Sequence, residues 1–184
     1  MSFFVDAMMI YLDLDPDAPA NVLRVEPKLP SAWDDMRFDN LHLGSHRLDV
    51  RVAVDAYGAT HEFTNRTGAA VDFDTVVRIP ASASPCAVTA NGAPAAFTHD
   101  PATGRVRVTG AMATGPGAAT VVRVTTRYAA DTDADGDVDF DDLNAVLGAW
   151  NTTVTPFTSG DTDGDGDVDF DDLNAVLSNW GAAC

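Results

Sequence analysis

Thirteen residues occur twice in this chain without a single change. Residues 135–147 read DGDVDFDDLNAVL, and residues 165–177 read the same letters. The register extends further: Asp131-Thr132-Asp133 leads into the first copy and Asp161-Thr162-Asp163 into the second, while Trp150 and Trp180 stand one period of 30 residues apart. So strict a duplication requires the last part of the chain to fold as two copies of one supersecondary unit. It also accounts for a lopsided charge. Of the 28 acidic residues behind the net charge of -17, 14 lie in residues 131–184, every one an aspartate, and none of the 11 Lys and Arg residues lies there. An anionic chain of this kind does not track phosphate backbones, which argues against nucleic acid as a partner. A hydrophobic content of 46% is enough for a packed core.

Each copy begins D-x-D-x-D-G. Counting from Asp131, carboxylates fall at positions one, three and five (Asp131, Asp133, Asp135), and Gly136 sits at six, where a sharp turn needs a residue without a Cβ. Asp137 at seven offers its backbone carbonyl, Asp139 at nine acts directly or through water, and Asp142 closes the loop at twelve. The second loop repeats this with Asp161, Asp163, Asp165, Gly166, Asp167, Asp169 and Asp172. This is the oxygen-rich spacing that a calcium ion requires, and it implies two ions per chain. Repulsion among so many carboxylates is relieved when a dication binds. Position twelve is Asp rather than the usual Glu, and the shorter arm weakens discrimination against magnesium. An acidic, solvated tail would explain the charge but not the repeated register. Nor would it explain an apolar stripe at i, i+3, i+4, i+7, formed by Leu143, Val146, Leu147 and Trp150 and again by Leu173, Val176, Leu177 and Trp180. Val138 and Val168, at position eight, fit two loops paired back to back through a short strand.

Neither segment entering a loop reads as helix. The first loop follows the strand-like 121–127, and the second follows 151–160, which contains Pro156 and Gly160. Each unit is therefore a loop with one exiting helix. On these residues, two units of D-x-D-x-D-G-x-V-x-x-x-D-L-N about thirty apart, the segment 131–180 resembles a type I dockerin. The resemblance implies docking onto a cohesin-like protein or surface scaffold, which tethers extracellular carbohydrate-active enzymes. The partner-reading positions, ten and eleven of each loop, are Phe140-Asp141 and Phe170-Asp171. They are identical in the two copies, which points to a docking mode that either copy can serve.

The preceding residues read differently. Residues 16–35 are broken by Pro16, Pro19, Pro27 and Pro30 into extended, turn-rich chain. From about residue 36 apolar and polar residues alternate: Leu48, Val50, Val52 and Val54 share one strand face. Short runs follow at 61–64, 71–79, 87–90, 105–109 and 120–127, separated by Thr67-Gly68, Asn91-Gly92, Thr103-Gly104 and Gly115-Pro116-Gly117. Many short strands without an intervening helical period predict an antiparallel β-sandwich. Residues 1–12 place Phe4, Met8 and Tyr11 on one helical face and Val5, Met9 and Leu12 on another, too short to span a bilayer and without the basic region of a signal peptide. Cys86 and Cys184 have neither metal-ligand spacing nor a CxxC; a pairing between them stays open.

No catalytic constellation emerges. His42, His46, His61 and His99 are scattered and read as surface histidines at 42 and 46; Glu26 and Glu62 are available as a carboxylate pair, but any domain has carboxylates. Trp33, the one tryptophan outside the repeats, reads as core filler. A second resemblance covers this part. VLRVEPKLP at 22–30, Trp33, Phe38-Asp39-Asn40-Leu41, residues 48–54, Arg78-Ile79-Pro80 and VTANG at 88–92 are similar to the C-terminal β-sandwich of (α/α)-barrel glycosidases of the rhamnosidase, debranching-enzyme and disaccharide-phosphorylase kind. The resemblance implies that residues 1–15 are the last helix of a catalytic barrel, and that the catalytic acids lie outside this chain. The expected architecture is an all-β sandwich over 16–129 followed by a small all-α, dockerin-like pair of calcium loop–helix units over 130–184. The expected function is calcium-dependent anchoring of a secreted polysaccharide-degrading enzyme outside the cell, non-catalytic in itself. A glycoside hydrolase that contacts polysaccharide and a calcium-stabilised surface protein are the alternatives.

Overall fold

The computed structural model describes residues 13, 15–17, 19–30, 33–81 and 83–184. Of the helix expected over residues 1–15, residues 1–12 and 14 lie outside the described residues, and Asp15 opens a strand instead. The chain divides into two compact units, Met1–Thr125 and Thr126–Cys184.

The first unit is two β-sheets. Eleven strands run in chain order: β1 (Asp15–Asp17), β2 (Val22–Val25), β3 (Asp35–Leu43), β4 (His46–Asp55), β5 (Gly58–Asn65), β6 (Asp72–Arg78), β7 (Ala87–Ala90), β8 (Ala93–Pro94), β9 (Phe97–Asp100), β10 (Arg105–Ala111) and β11 (Ala118–Thr125). One sheet has the order β1-β2-β6-β10-β9 and the other β3-β4-β5-β11-β7-β8. Alternation along each strand sends one set of side chains inward. Leu23, Phe73, Val77, Val106 and Val108 come from the first sheet and Leu48, Val50, Val52, Phe63, Val122 and Val124 from the second, all buried in one cluster. Phe63 and Phe73 stack with centroids 5.4 Å apart, a favourable offset arrangement.

Four expectations change. The sandwich is not purely antiparallel, because β2 runs parallel to β6, Val22 opposite Asp72. The four prolines at 16–30 leave just enough uninterrupted chain, Val22–Val25, for that strand. Val54 leaves the inward row and is 44% exposed, and Trp33 is 50% exposed rather than core filler. His46 is buried, not on the surface.

Local chemistry fixes the register. Between Phe38 and Leu41 the β3–β4 ladder slips; Asn40 there adopts φ 61°, and its N–H donates to Asp49 Oδ1 at 2.9 Å. Such a bulge needs a residue that tolerates the left-handed region, and Asn does. At Gly58 a Cβ would meet the Val124 carbonyl oxygen at 2.0 Å, so only glycine lets β5 and β11 close.

The second unit holds two helices, α1 (Phe140–Gly148) and α2 (Phe170–Ser178). Each starts with the same capping box: Asp139 and Asp142 serve the first, Asp169 and Asp172 the second. Its core is small: Ala130, Val138, Val146, Val168 and Val176 are buried, flanked by Tyr128, Leu143, Val154 and Leu173. Only part of the expected helical stripe packs inward. Leu147 and Leu177 are 51% and 52% exposed, and Trp150 and Trp180 are also exposed.

His61 sits in the sandwich interior, with Nδ1 2.7 Å from Thr75 Oγ1. Burial lowers its pKa to about 4. The unfolded imidazole takes a proton near pH 6.5, so the unfolded chain binds more protons than the folded one between that pH and about 4. Stability should be full above pH 6.5 and fall through this window by about 3 kcal/mol. His61→Asn should flatten that fall, as read from urea midpoints at pH 7 and pH 4.5.

Candidate metal centre

The two acidic loops are wound by short-range hydrogen bonds of the kind that Asp and Asn side chains make to the backbone two residues on. Asp135 N–H donates to Asp133 Oδ1 at 3.1 Å and Asp137 N–H to Asp135 Oδ1 at 3.1 Å. The second loop repeats this at 3.1 and 3.0 Å with Asp163, Asp165 and Asp167. The chain reverses through positive φ at Ala134 and Gly136, and at Gly164 and Gly166.

Position twelve ties each loop to its helix. Asp142 Oδ1 accepts the Thr132 N–H at 2.5 Å and its hydroxyl at 3.1 Å, while Oδ2 accepts the Asp139 N–H at 2.8 Å. Asp172 does the same with Thr162, at 2.6 and 3.1 Å, and with Asp169 at 2.8 Å. For Asp172 burial works to raise the pKa, but the N–H groups of Asp169, Thr162 and Asp163 and the Thr162 hydroxyl outweigh it, and the carboxyl sits below its ordinary value.

The winding brings carboxylates together. Oxygens of Asp131, Asp133 and Asp142 lie within 4.8 Å of one another, as do those of Asp161, Asp163 and Asp172; Asp137 and Asp139 form a further such group with Asp142. Asp135, Asp165, Asp167 and Asp169 belong to no such group among the described residues. The charges strain one another. The Asp137 carboxyl is raised above its ordinary value first by Asp135, then by desolvation and by Asp139, Asp142 and Asp133; Asp167 is raised in the same way, Asp165 first.

One atom tests whether a cation fits. Asp131 is 2% exposed, yet its Oδ1 has no hydrogen-bond partner. Burying a carboxylate oxygen unpaired is costly. This one belongs to the residue at loop position one, within the Asp131–Asp133–Asp142 group. An all-oxygen donor set with such an atom in the first loop fits a hard divalent cation, for which Asp131, Asp133 and Asp142, and in the second loop Asp161, Asp163 and Asp172, would be the ligands.

The expected back-to-back pairing of the loops takes a different form. Val138 and Val168 do share the core, but each loop's short strand pairs with the segment that follows the other loop's helix. Val138 N–H donates to Ala182 O and Gly181 N–H to Val138 O, both at 2.9 Å. Asn151 N–H donates to Val168 O at 2.8 Å and Val168 N–H to Thr152 O at 3.0 Å. Position seven makes the matching bridges, Asp137 with Ala183 and Asp167 with Thr153.

Phe140 and Phe170 are 65% and 62% exposed, and Asp141 and Asp171 are exposed beside them. Phe140 meets Trp180 edge to face at 5.6 Å. The residues that sequence reasoning passed over are Thr132, Thr162 and Arg127. The threonines could have been found, because position two is identical in both copies. Arg127 carried no signal, because position 157 in the second copy is Phe.

Among the described residues the sandwich has no comparable centre. Glu26 and Glu62 lie on different sheets: Glu26, which follows β2, is held by Arg78 and Arg105, and Glu62, on β5, lines a hollow of about 190 Å³ with Arg37, Asp49, Arg51 and Thr64. The first sheet's outer face carries Arg24, Arg105 and Arg107 with Glu26 and Asp74 around a groove of about 290 Å³. Asp74 binds Arg107 by two bonds of 2.7 and 2.5 Å.

Residues 17–74 match the family model described as Glycosyl hydrolase family 65, C-terminal domain. The matched segment covers about a third of the chain and lies in the sandwich, from the end of β1 into β6. No curated protein matches the chain.

Gly160 tests the packing beneath the second loop. A Cβ there would come within 2.8 Å of Val146 Cα, at φ 95°. Gly160→Ala should lower the stability of residues 126–184 by about 1–3 kcal/mol, seen as a lower thermal midpoint in far-ultraviolet circular dichroism.

Proposed function

We propose that this chain combines an accessory β-sandwich of a glycoside hydrolase with a calcium-dependent docking module, and that it is not itself catalytic. The family match over residues 17–74 carries the first half of this reading. In the glycosidases that the sandwich resembles, catalysis belongs to the barrel that precedes it. Glu26 is held by Arg78 and Arg105, and Glu62 lines a separate hollow beside Arg37 and Arg51, so the structure gives the two no shared site for hydrolysis. A test follows directly: the purified chain should leave α-glucosides and disaccharides intact over many hours, with or without phosphate, and turnover that survives purification would overturn the non-catalytic assignment.

The docking half rests on the loops. Three carboxylates converge in each loop, above a core of five buried hydrophobic residues, and in the first loop Asp131 keeps an unpaired buried oxygen. So small a core gives little stability of its own, and metal binding commonly supplies the rest in such modules. The cation proposed is calcium, one per loop. Calorimetry should register two calcium ions per chain with dissociation constants between about 10⁻⁷ and 10⁻³ M. At a hundredfold excess over the dissociation constant, each should add about 2.7 kcal/mol to stability, reversed by a chelator. Asp131→Asn with Asp161→Asn should remove both; an unchanged titration would sink the assignment.

The docking surface proposed is the exposed apolar rim at position ten of each loop, Phe140 and Phe170, with Asp141 and Asp171. The partner is a cohesin-like domain on a scaffold outside the cell. Because the copies are identical there, Phe140→Ala or Phe170→Ala alone should leave calcium-dependent binding to an immobilised cohesin domain largely intact. The double variant should weaken it by about thirtyfold or more. Loss from either single change would exclude docking by either copy.

A further inference from the structure

The two loops share their ligands but not their surroundings. Asp161 is cradled: Oδ1 accepts the Gly164 N–H at 2.6 Å, and Oδ2 accepts those of Gly166 at 3.0 Å and Phe157 at 3.3 Å. Asp131 has no such cradle. Its Oδ1 is without a partner, and its Oδ2 lies 3.9 Å from Arg127 Nε. Arg127 is anchored there by a 2.8 Å bond from Nη2 to the Asp131 carbonyl. One period later, residue 157 is Phe, so the second loop has no cation at that place. At position four the first loop has Ala134 at φ 67° and the second has Gly164 at φ 81°.

We propose that the sites fill in order, loop 161–172 taking the first calcium ion and loop 131–142 the second, with Arg127 and Ala134 setting the gap. The inference rests on the calcium reading above and deepens it. Three effects act in one direction. Backbone N–H groups hold Asp161 in place before the ion arrives, so little ordering remains to be done on binding. Arg127 brings a positive charge to the first ligand of the other loop and repels a dication there. An alanine in the left-handed region costs about 1–2 kcal/mol that glycine does not incur, equivalent to about five- to thirtyfold in an equilibrium constant. The unpaired oxygen of Asp131 acts the other way, since a cation would satisfy it. That gain is partial, because Arg127 already lies beside the same carboxylate. The unpaired oxygen therefore marks the first loop as a site, and its neighbours make it the weaker one.

The test is a calcium titration of the whole ¹⁵N-labelled chain, following the amide resonances of Gly136 and Gly166, one in each loop. Gly166 should complete its shift with the first equivalent, and Gly136 should follow at about tenfold higher free calcium or more. Movement of both together, or of Gly136 first, would overturn the order. If neither moves at millimolar calcium, the calcium reading itself fails, an outcome distinct from equal loading. Ala134→Gly, a change that removes strain, should bring the Gly136 transition down by about fivefold or more. Adding Arg127→Gln should bring it down further, with Gly166 unmoved. A Gly136 transition unaffected by both changes would exclude these residues as the cause.

Discussion

One carboxylate in each repeat joins two pieces of chain that would otherwise drift apart. Asp142 takes N–H groups from Thr132 at the start of its loop and from Asp139 at the start of its helix, and Asp172 does so with Thr162 and Asp169. Loop closure and helix initiation therefore become a single event. Without that double acceptor the helix would begin with orphan donors, and the acidic loop would have nothing to oppose its own repulsion. The convergence of Asp131 and Asp133 on the same point follows from this closure, and so does the placement of Val146 and Val176 beneath it.

The sandwich depends on shape more than on charge. Its interior is closed by alternating valines and leucines around the Phe63–Phe73 stack, and its outer faces carry arginine–carboxylate pairs across neighbouring strands. Such exposed pairs contribute little to stability, but they keep both faces polar and paired. The likeness of residues 17–74 to a glycosyl hydrolase C-terminal domain therefore lies in a scaffold: His61, buried in its interior, is kept neutral there and sits beside the Thr75 hydroxyl.

Much of this was legible in the sequence, where period and punctuation carry the signal. Alternation located the middle strands and glycine-centred turns located their ends, because a strand's inward face and a positive φ each demand particular residues. The identical repeats gave the loops and helices for the same reason. What escaped depends on neighbours distant in sequence. β2 lies parallel to β6 across nearly fifty residues, and nothing local to Val22–Val25 announces it. Trp33 looks like core by composition and is half exposed. Leu147 and Trp150 share a helical stripe with Val146, but a core this small has room for the valine and not for all of its neighbours. Arg127 escaped because it occurs in one copy only, and repetition was the feature being read.

The crossed bridges bear on how such a pair arises. Each loop finds its short strand partner after the helix of the other copy, Val138 with Ala182 and Val168 with Asn151 and Thr152. A solitary thirty-residue copy thus holds both halves of the joint but cannot engage them with each other. It completes itself only by meeting a second copy, each lending its trailing segment to the other's loop. The tandem chain is in that sense a dimer whose subunits have been tied together. The residues that join the copies, 155–160, convert a concentration-dependent association into an intramolecular one.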